Sequence, residues 1–154
     1  MGWLPSAQRV QAVCAPMALA CLLMACATPQ RTAEGPDTRA PIKLSEQEAA
    51  EFRAGMHAYL DATEAIVEAV AANKVPEAAA SARKAGTGAI SGVSPALAVS
   101  LPPELAMLAL DTHQKFDDIA AAAERNASKK EILDKLGSAL ANCSACHSSY
   151  RIAD

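Results

Sequence analysis

The sequence predicts an all-α protein, an antiparallel four-helix bundle, on three observations. Apolar residues recur at threes and fours through the long segments, no segment alternates like a strand, and S-x-x-E signatures stand where helices would begin. A chain of 154 residues, about half of them apolar, can bury one core but hardly two, so a single domain is expected.

That domain spans residues 45–154. Ser45 with Glu48 has the capping-box form, in which hydroxyl and carboxylate satisfy orphan amides at a helix start. The first predicted helix carries a stripe of Phe52, Met56, Tyr59, Leu60, Thr63, Ile66, Val67 and Val70. Asn73 and Pro76 end it, and Pro76 suits the first turn of a second helix. This alanine-rich helix is expected to run to about Ile90 and to give way to a loop, "GVSPALAVSLPP". A third helix starts near Pro103, places Leu105, Leu108, Thr112, Phe116, Ile119 and Ala123 on one face, and ends near Asn126. Ser128 and Glu131 repeat the cap signature and open a fourth, with Ile132, Leu133, Leu136, Leu140 and Cys143 on its face. Four such helices with short or moderate connections make a bundle. Its core is thin, because aromatics are 3 % of the chain and alanine stands at many positions that usually hold larger side chains. A bulky apolar cofactor would supply the missing volume.

Ahead of the domain, residues 1–25 read as a signal peptide: Arg9 precedes an uncharged apolar run, residues 12–25, too short to span a bilayer comfortably. The run ends in Leu23-Met24-Ala25-Cys26, which resembles the lipobox of bacterial lipoproteins and marks Cys26 for lipidation. Ala25-Cys26-Ala27 equally allows a plain secretory cleavage. Cys14 and Cys21 would leave with the signal. Its removal deletes one arginine and no acid, taking the formal charge from −3 to −4, which argues against nucleic acid as a partner. Residues 26–44 are rich in Pro, Thr, Gly and scattered charge and read as a flexible tether, with a reach on the order of 20 Å.

Export leaves Cys143 and Cys146 as thiols outside the cytoplasm, in "NCSACHSSYR" near the C-terminus. At about 100° per residue, Cys143 and His147 project from the side of Leu136 and Leu140, with Cys146 on the neighbouring flank. C-x-x-C-H is the attachment signature of c-type haem, in which two thiols bond the vinyl groups and the adjacent imidazole coordinates iron. Three blander readings compete. A redox dithiol belongs at a helix start after a strand, and this motif lies in the last turns of a helix. A zinc site needs a fourth ligand, His57 or His113. A disulfide would close a very small loop of little stabilising use.

The chain resembles the cytochrome c prime group, four-helix haem proteins that include low-spin relatives, over most of residues 45–151. The likeness rests on "CSACHSSYR", which is similar to the group's C-x-x-C-H-x-x-[Tyr/Phe]-Arg ending, and on "EFRAGMHAYL", which resembles its Tyr/Phe-Arg start. The lipobox and tether depart from its commonest soluble members. The resemblance implies one covalent haem on Cys143 and Cys146, His147 as proximal iron ligand, and Arg151 beside a propionate or the proximal pocket. Arg151 also reads as a solvated cation complementing a helix C-terminus.

It further implies that the first helix supplies the distal residue, either an apolar plug or a methionine ligand. Met56 lies about 25° from the stripe centre and His57 roughly 125° from it, which favours Met56. Alignment on Phe52-Arg53 brings His57 nearer that slot, so both stay open. The expected function is electron transfer by a periplasmic cytochrome, lipid-anchored at Cys26, with the outer membrane indicated by Ala27 in place of aspartate. Its partners would be redox proteins, and a homodimer stays open. The alternatives are binding or sensing of a small gas such as NO or CO at a five-coordinate haem, and a haemless thiol or structural lipoprotein. Nothing in the sequence forms a hydrolytic nucleophile and base set, so no catalyst is expected.

Overall fold

The computed structural model describes residues 35–153. The expected signal peptide, the lipobox with Cys26, and the first part of the tether lie outside them. Within them the fold is all-α apart from two short strands. In chain order the elements are β1 (Ala40–Ile42), α1 (Glu46–Ala71), α2 (Val75–Ala85), a 3-10 helix (Thr87–Gly92), α3 (Pro95–Ser100), α4 (Pro103–Glu124), α5 (Lys129–Ser149) and β2 (Tyr150–Ile152).

Local chemistry accounts for the helix ends. At the start of α1 the capping box forms in both directions: the Glu48 amide donates to Ser45 Oγ at 3.3 Å, and the Ser45 amide donates to Glu48 Oε2 at 2.7 Å. Ser128 caps α5 by accepting from the Glu131 amide at 3.2 Å, but the Glu131 carboxylate turns to Arg125 instead of closing the box. Asn73 and Asn126 adopt positive φ, 61° and 56°. Each ends its helix in a Schellman motif, with Lys74 N–H on Ala69 O (2.8 Å) and Asn73 N–H on Val70 O (3.2 Å). The pair at the end of α4 is Ala127 N–H on Ala122 O (3.0 Å) and Asn126 N–H on Ala123 O (2.9 Å).

Three features depart from the sequence expectation. The second helix stops at Ala85 and does not continue to Ile90. Asp117 of α4 stops it: its Oδ2 accepts from the Thr87 amide at 2.9 Å and the Thr87 hydroxyl at 2.6 Å, and Arg83 donates to its Oδ1 at 3.1 Å. Gly86 is required here, because a Cβ on it would overlap that carboxylate. The expected loop contains α3, started by Ser94, whose Oγ accepts from the Leu97 amide at 3.2 Å. Finally, the last residues of the expected tether are bound to the domain. β1 pairs in parallel with β2 in the register Ala40 to Tyr150, Pro41 to Arg151 and Ile42 to Ile152, and Ala153 N–H donates to Ile42 O at 2.9 Å. Ile42 is buried at 3 % exposure.

Among the long helices α2 packs on α1 and α4, and α5 packs mainly on α4. The core lies toward one end. It takes the C-terminal half of α1 (Ala62, Ile66, Ala69, Val70), all of α2, the C-terminal half of α4 (Phe116 to Ala123) and the N-terminal half of α5 (Ile132, Leu136, Ala139). Ala78, Ala82, Ala120, Ala122, Ala123 and Ala139 are wholly buried there. Small side chains let the helices approach closely, so the thin core closes directly at this end and the unfilled volume falls at the other.

The left-handed caps give a test of this frame. Asn73→Gly and Asn126→Gly should leave stability nearly unchanged in urea unfolding, whereas valine at either position should lose about 1–2 kcal/mol. Equal tolerance of glycine and valine would contradict the caps.

Candidate cofactor cavity

At the open end α1, α4 and α5 enclose a cavity of about 350 Å³. From α5 come Leu140, Cys143, Cys146 and His147; from α1, Phe52, Met56, His57 and Tyr59; from α4, Leu105, Leu108 and Thr112. The motif thus puts both thiols and the imidazole on the wall of one largely apolar cavity. The thiols are free and half-buried, and His147 is exposed at the mouth. Cys143 Sγ–H donates to Ala139 O at 3.7 Å. Burial pushes both thiols above the ordinary cysteine range, and the neighbouring Cys143 raises Cys146 further. That is the opposite of a thiol activated for exchange.

Met56 is half-buried and His57 exposed, yet both line the cavity. The cavity opens to solvent at this turn, with Leu60 66 % and Leu140 41 % exposed, so it meets the polar flank of α1 as well as the stripe. Helical angle alone therefore does not separate the two candidates.

A second cavity of about 410 Å³ adjoins the first and shares Phe52, Met56, His57, Cys146 and His147 with it. Its further lining includes Arg39, Arg53 and Arg151. The strand pair builds it: β2 carries Arg151, and Arg39, just ahead of β1, donates from Nη1 to the His147 carbonyl at 3.4 Å. That contact and the Tyr150 N–H on Cys146 O occupy carbonyls at the end of α5.

Two polar networks support the wall. Asn142, next to Cys143, donates from Nδ2 to Asp111 Oδ2 at 2.6 Å and to Thr112 Oγ1 at 3.1 Å, and its Oδ1 accepts from Lys115 Nζ at 3.2 Å. Lys115 also pairs with Asp111. Bonds from Lys115 first and Asn142 second hold the Asp111 carboxyl below its usual range. The network fixes α5 against α4 immediately before the motif.

On the other side, Tyr59 stacks on Phe116 with centroids 5.5 Å apart, and its hydroxyl lies 2.8 Å from His113 Nε2. His113 Nδ1 lies 2.8 Å from the Ala85 carbonyl, which can only accept, so Nδ1 carries the hydrogen. In the neutral imidazole the Tyr59 hydroxyl then donates to Nε2. With both nitrogens engaged, His113 is committed to this bond and is not a fourth ligand for the thiols.

Sequence reasoning passed over Tyr59, Arg39, Arg53 and Asn142 as functional groups. Asn142 left a legible signal, a carboxamide beside Cys143 on a buried helix face. Arg39 left none, because it reaches the site through a three-residue strand pairing. No protein-family model, curated protein or solved structure matches the chain, so the family likeness stands on its motifs. Among the described residues no helix is long and apolar enough to cross a membrane.

Burial first, and then repulsion from the two cysteines, pushes the Tyr59 phenol well above its ordinary value. An unfolded tyrosine ionises near pH 10, so Tyr59 makes folding stability fall as pH rises beyond about 10. Tyr59→Phe should remove that alkaline slope while losing about 1 kcal/mol at neutral pH with the hydrogen bond to His113. Unfolding titrations across alkaline pH measure both, and an unchanged slope would contradict the burial of the phenol.

Proposed function

We propose that the chain is a c-type cytochrome whose long helices α1, α2, α4 and α5 form an antiparallel four-helix bundle around one covalent haem, and that it transfers electrons. One observation carries this reading: Cys143, Cys146, His147 and Met56 line a single apolar cavity. Cys143 and Cys146 would hold the group by thioethers, His147 would bind its iron on the proximal side, and Met56 on the distal side. The residues fit such a group. The cavity lies within the roughly 300–1,000 Å³ range of cofactor sites, its walls suit a flat apolar ring, and the adjoining arginines suit carboxylates on the ring's edge. Bound there, haem supplies one-electron chemistry.

The protein's own groups set the conditions for that chemistry. Phe52, Leu105 and Leu108 keep water from the wall, and Arg39, Arg53 and Arg151 favour an anionic edge in the second cavity. The Asn142 network and the β1–β2 strap hold the backbone at the two ends of the motif. A thioether from Met56 is a soft ligand that favours reduced iron. The raised thiols speak against the alternative of a haemless redox dithiol. Gas binding at an open distal side is the second reading, favoured by a separate apolar cleft that also reaches Met56. The proposal includes export to the periplasm and a lipid at Cys26.

Visible spectra of the reduced protein, with and without carbon monoxide, test the assignment. Wild type should be low-spin and slow to bind the gas. Met56→Ala should turn five-coordinate and bind it readily, while His57→Ala changes little. Loss of the low-spin form in His57→Ala instead would make His57 the ligand, and a five-coordinate wild type would exclude the electron carrier in favour of gas binding. In the same preparations Cys26→Ser should leave the membrane fraction with its spectrum unaltered; retention there would refute the lipid anchor.

A further inference from the structure

Tyr59 and His113 form a pair to which the electron-transfer reading gives no part. Tyr59 of α1 lines the cofactor cavity and stacks on the wholly buried Phe116 of α4, with ring centroids 5.5 Å apart. Its ring centroid stands 5.1 Å from that of His113, and its hydroxyl donates to His113 Nε2 at 2.8 Å. His113 Nδ1–H donates in turn, at 2.8 Å, to the carbonyl of Ala85, the last residue of α2. Phenol, imidazole and helix end thus form one directed chain of hydrogen bonds across α1, α4 and α2.

Three properties of this chain suit it to oxidation. A phenol that gives up an electron becomes a strong acid, and His113 Nε2 already accepts its hydrogen bond, so the proton has a base to move to without rearrangement. The imidazolium formed would lie against Ala85 O at the carbonyl end of α2, where the helix dipole favours positive charge. Burial first, and then the two cysteines, hold the phenol well above its ordinary value, so it keeps its proton at neutral pH until the electron leaves. Among the described residues the other phenol is Tyr150, on the wall of the second cavity, and there is no tryptophan.

We infer that Tyr59 is a redox-active tyrosine with His113 as its proton acceptor. A strong one-electron oxidant, such as a peroxyl radical, takes one electron from the phenol and becomes a peroxide anion, which draws its proton from water. In the same step the Tyr59 O–H bond breaks and an N–H bond forms at His113 Nε2, leaving a neutral phenoxyl radical beside an imidazolium. Return of one electron sends the proton back to the phenol oxygen. Supply of that electron by a group in the cofactor cavity rests on the haem proposal; formation of the radical does not.

Flash oxidation of the purified full-length protein by photogenerated ruthenium(III) tris-bipyridine tests this, with electron paramagnetic resonance on protein carrying ring-deuterated tyrosine. Wild type and Tyr150→Phe should give a neutral tyrosyl signal coupled to an exchangeable proton, and Tyr59→Phe, which keeps the ring stack, should lose it. His113→Gln leaves the hydroxyl an acceptor but no base, and should form the radical about a hundredfold more slowly. Heavy water should slow its formation in wild type, a reading that stands even if His113→Gln fails to fold. A hydrogen bond that only ties α1 to α4 would change unfolding and none of these signals. A signal undiminished in Tyr59→Phe, formation as fast in His113→Gln as in wild type, or wild-type formation unaffected by heavy water overturns the inference. The radical is read on the phenol and not on iron: a haemless protein that forms it would sink the haem proposal and leave this pair standing, and a haem-loaded protein without it would do the reverse.

Discussion

The close contact of alanine faces where α2 meets α1 and α4 decides where everything else can go. Ala78, Ala82, Ala120 and Ala123 are wholly buried there, and side chains this small let helices pack closely. Toward their other ends α1 and α4 carry Phe52, Met56, Tyr59, Leu105 and Leu108, which line the cavity. One end of the fold is dry and filled, and the other is a cavity. Alanine-rich helices leave little area to bury per residue, so the filled end makes a thin core.

The open end is not left slack. Asn142 joins α5 to Asp111, Thr112 and Lys115 of α4 one residue before Cys143, and the β1–β2 strap ties the chain just after His147 to the segment that leads into α1. The motif is thus held on both sides, by part-buried hydrogen bonds of the Asn142 carboxamide and by main-chain pairing. Its thiols are half-buried, which raises both above the ordinary cysteine range, and they still line the cavity. The second cavity follows from the same strap, since Arg39 lies just ahead of β1 and Arg151 belongs to β2.

Much of this was legible in the sequence, for local reasons. Ser45, Ser128, Asn73 and Pro76 act on the backbone within a few residues of themselves, and the structure places helix ends beside each of them. The cysteines and histidine were legible because three and four residues make one helical turn, so spacing alone places them together. What escaped was long-range. The second helix ends early because Asp117, thirty residues away, captures Thr87, and no pattern near Thr87 announces it. Three-residue strands are too short to show alternation, which hid Arg39. His57 reached the cavity against its helical angle because the cavity opens to solvent at that turn, a property of three helices together.

Whether Cys143 and Cys146 hold a haem covalently, as proposed above, is read from the intact mass of the denatured, acid-extracted protein. The expected mass is that of the mature polypeptide with its Cys26 lipid plus one haem, with neither Cys143 nor Cys146 open to alkylation, and it falls by one haem once both cysteines are replaced by alanine. A wild-type protein that shows the bare polypeptide mass and takes up alkylating reagent at both Cys143 and Cys146 would contradict it.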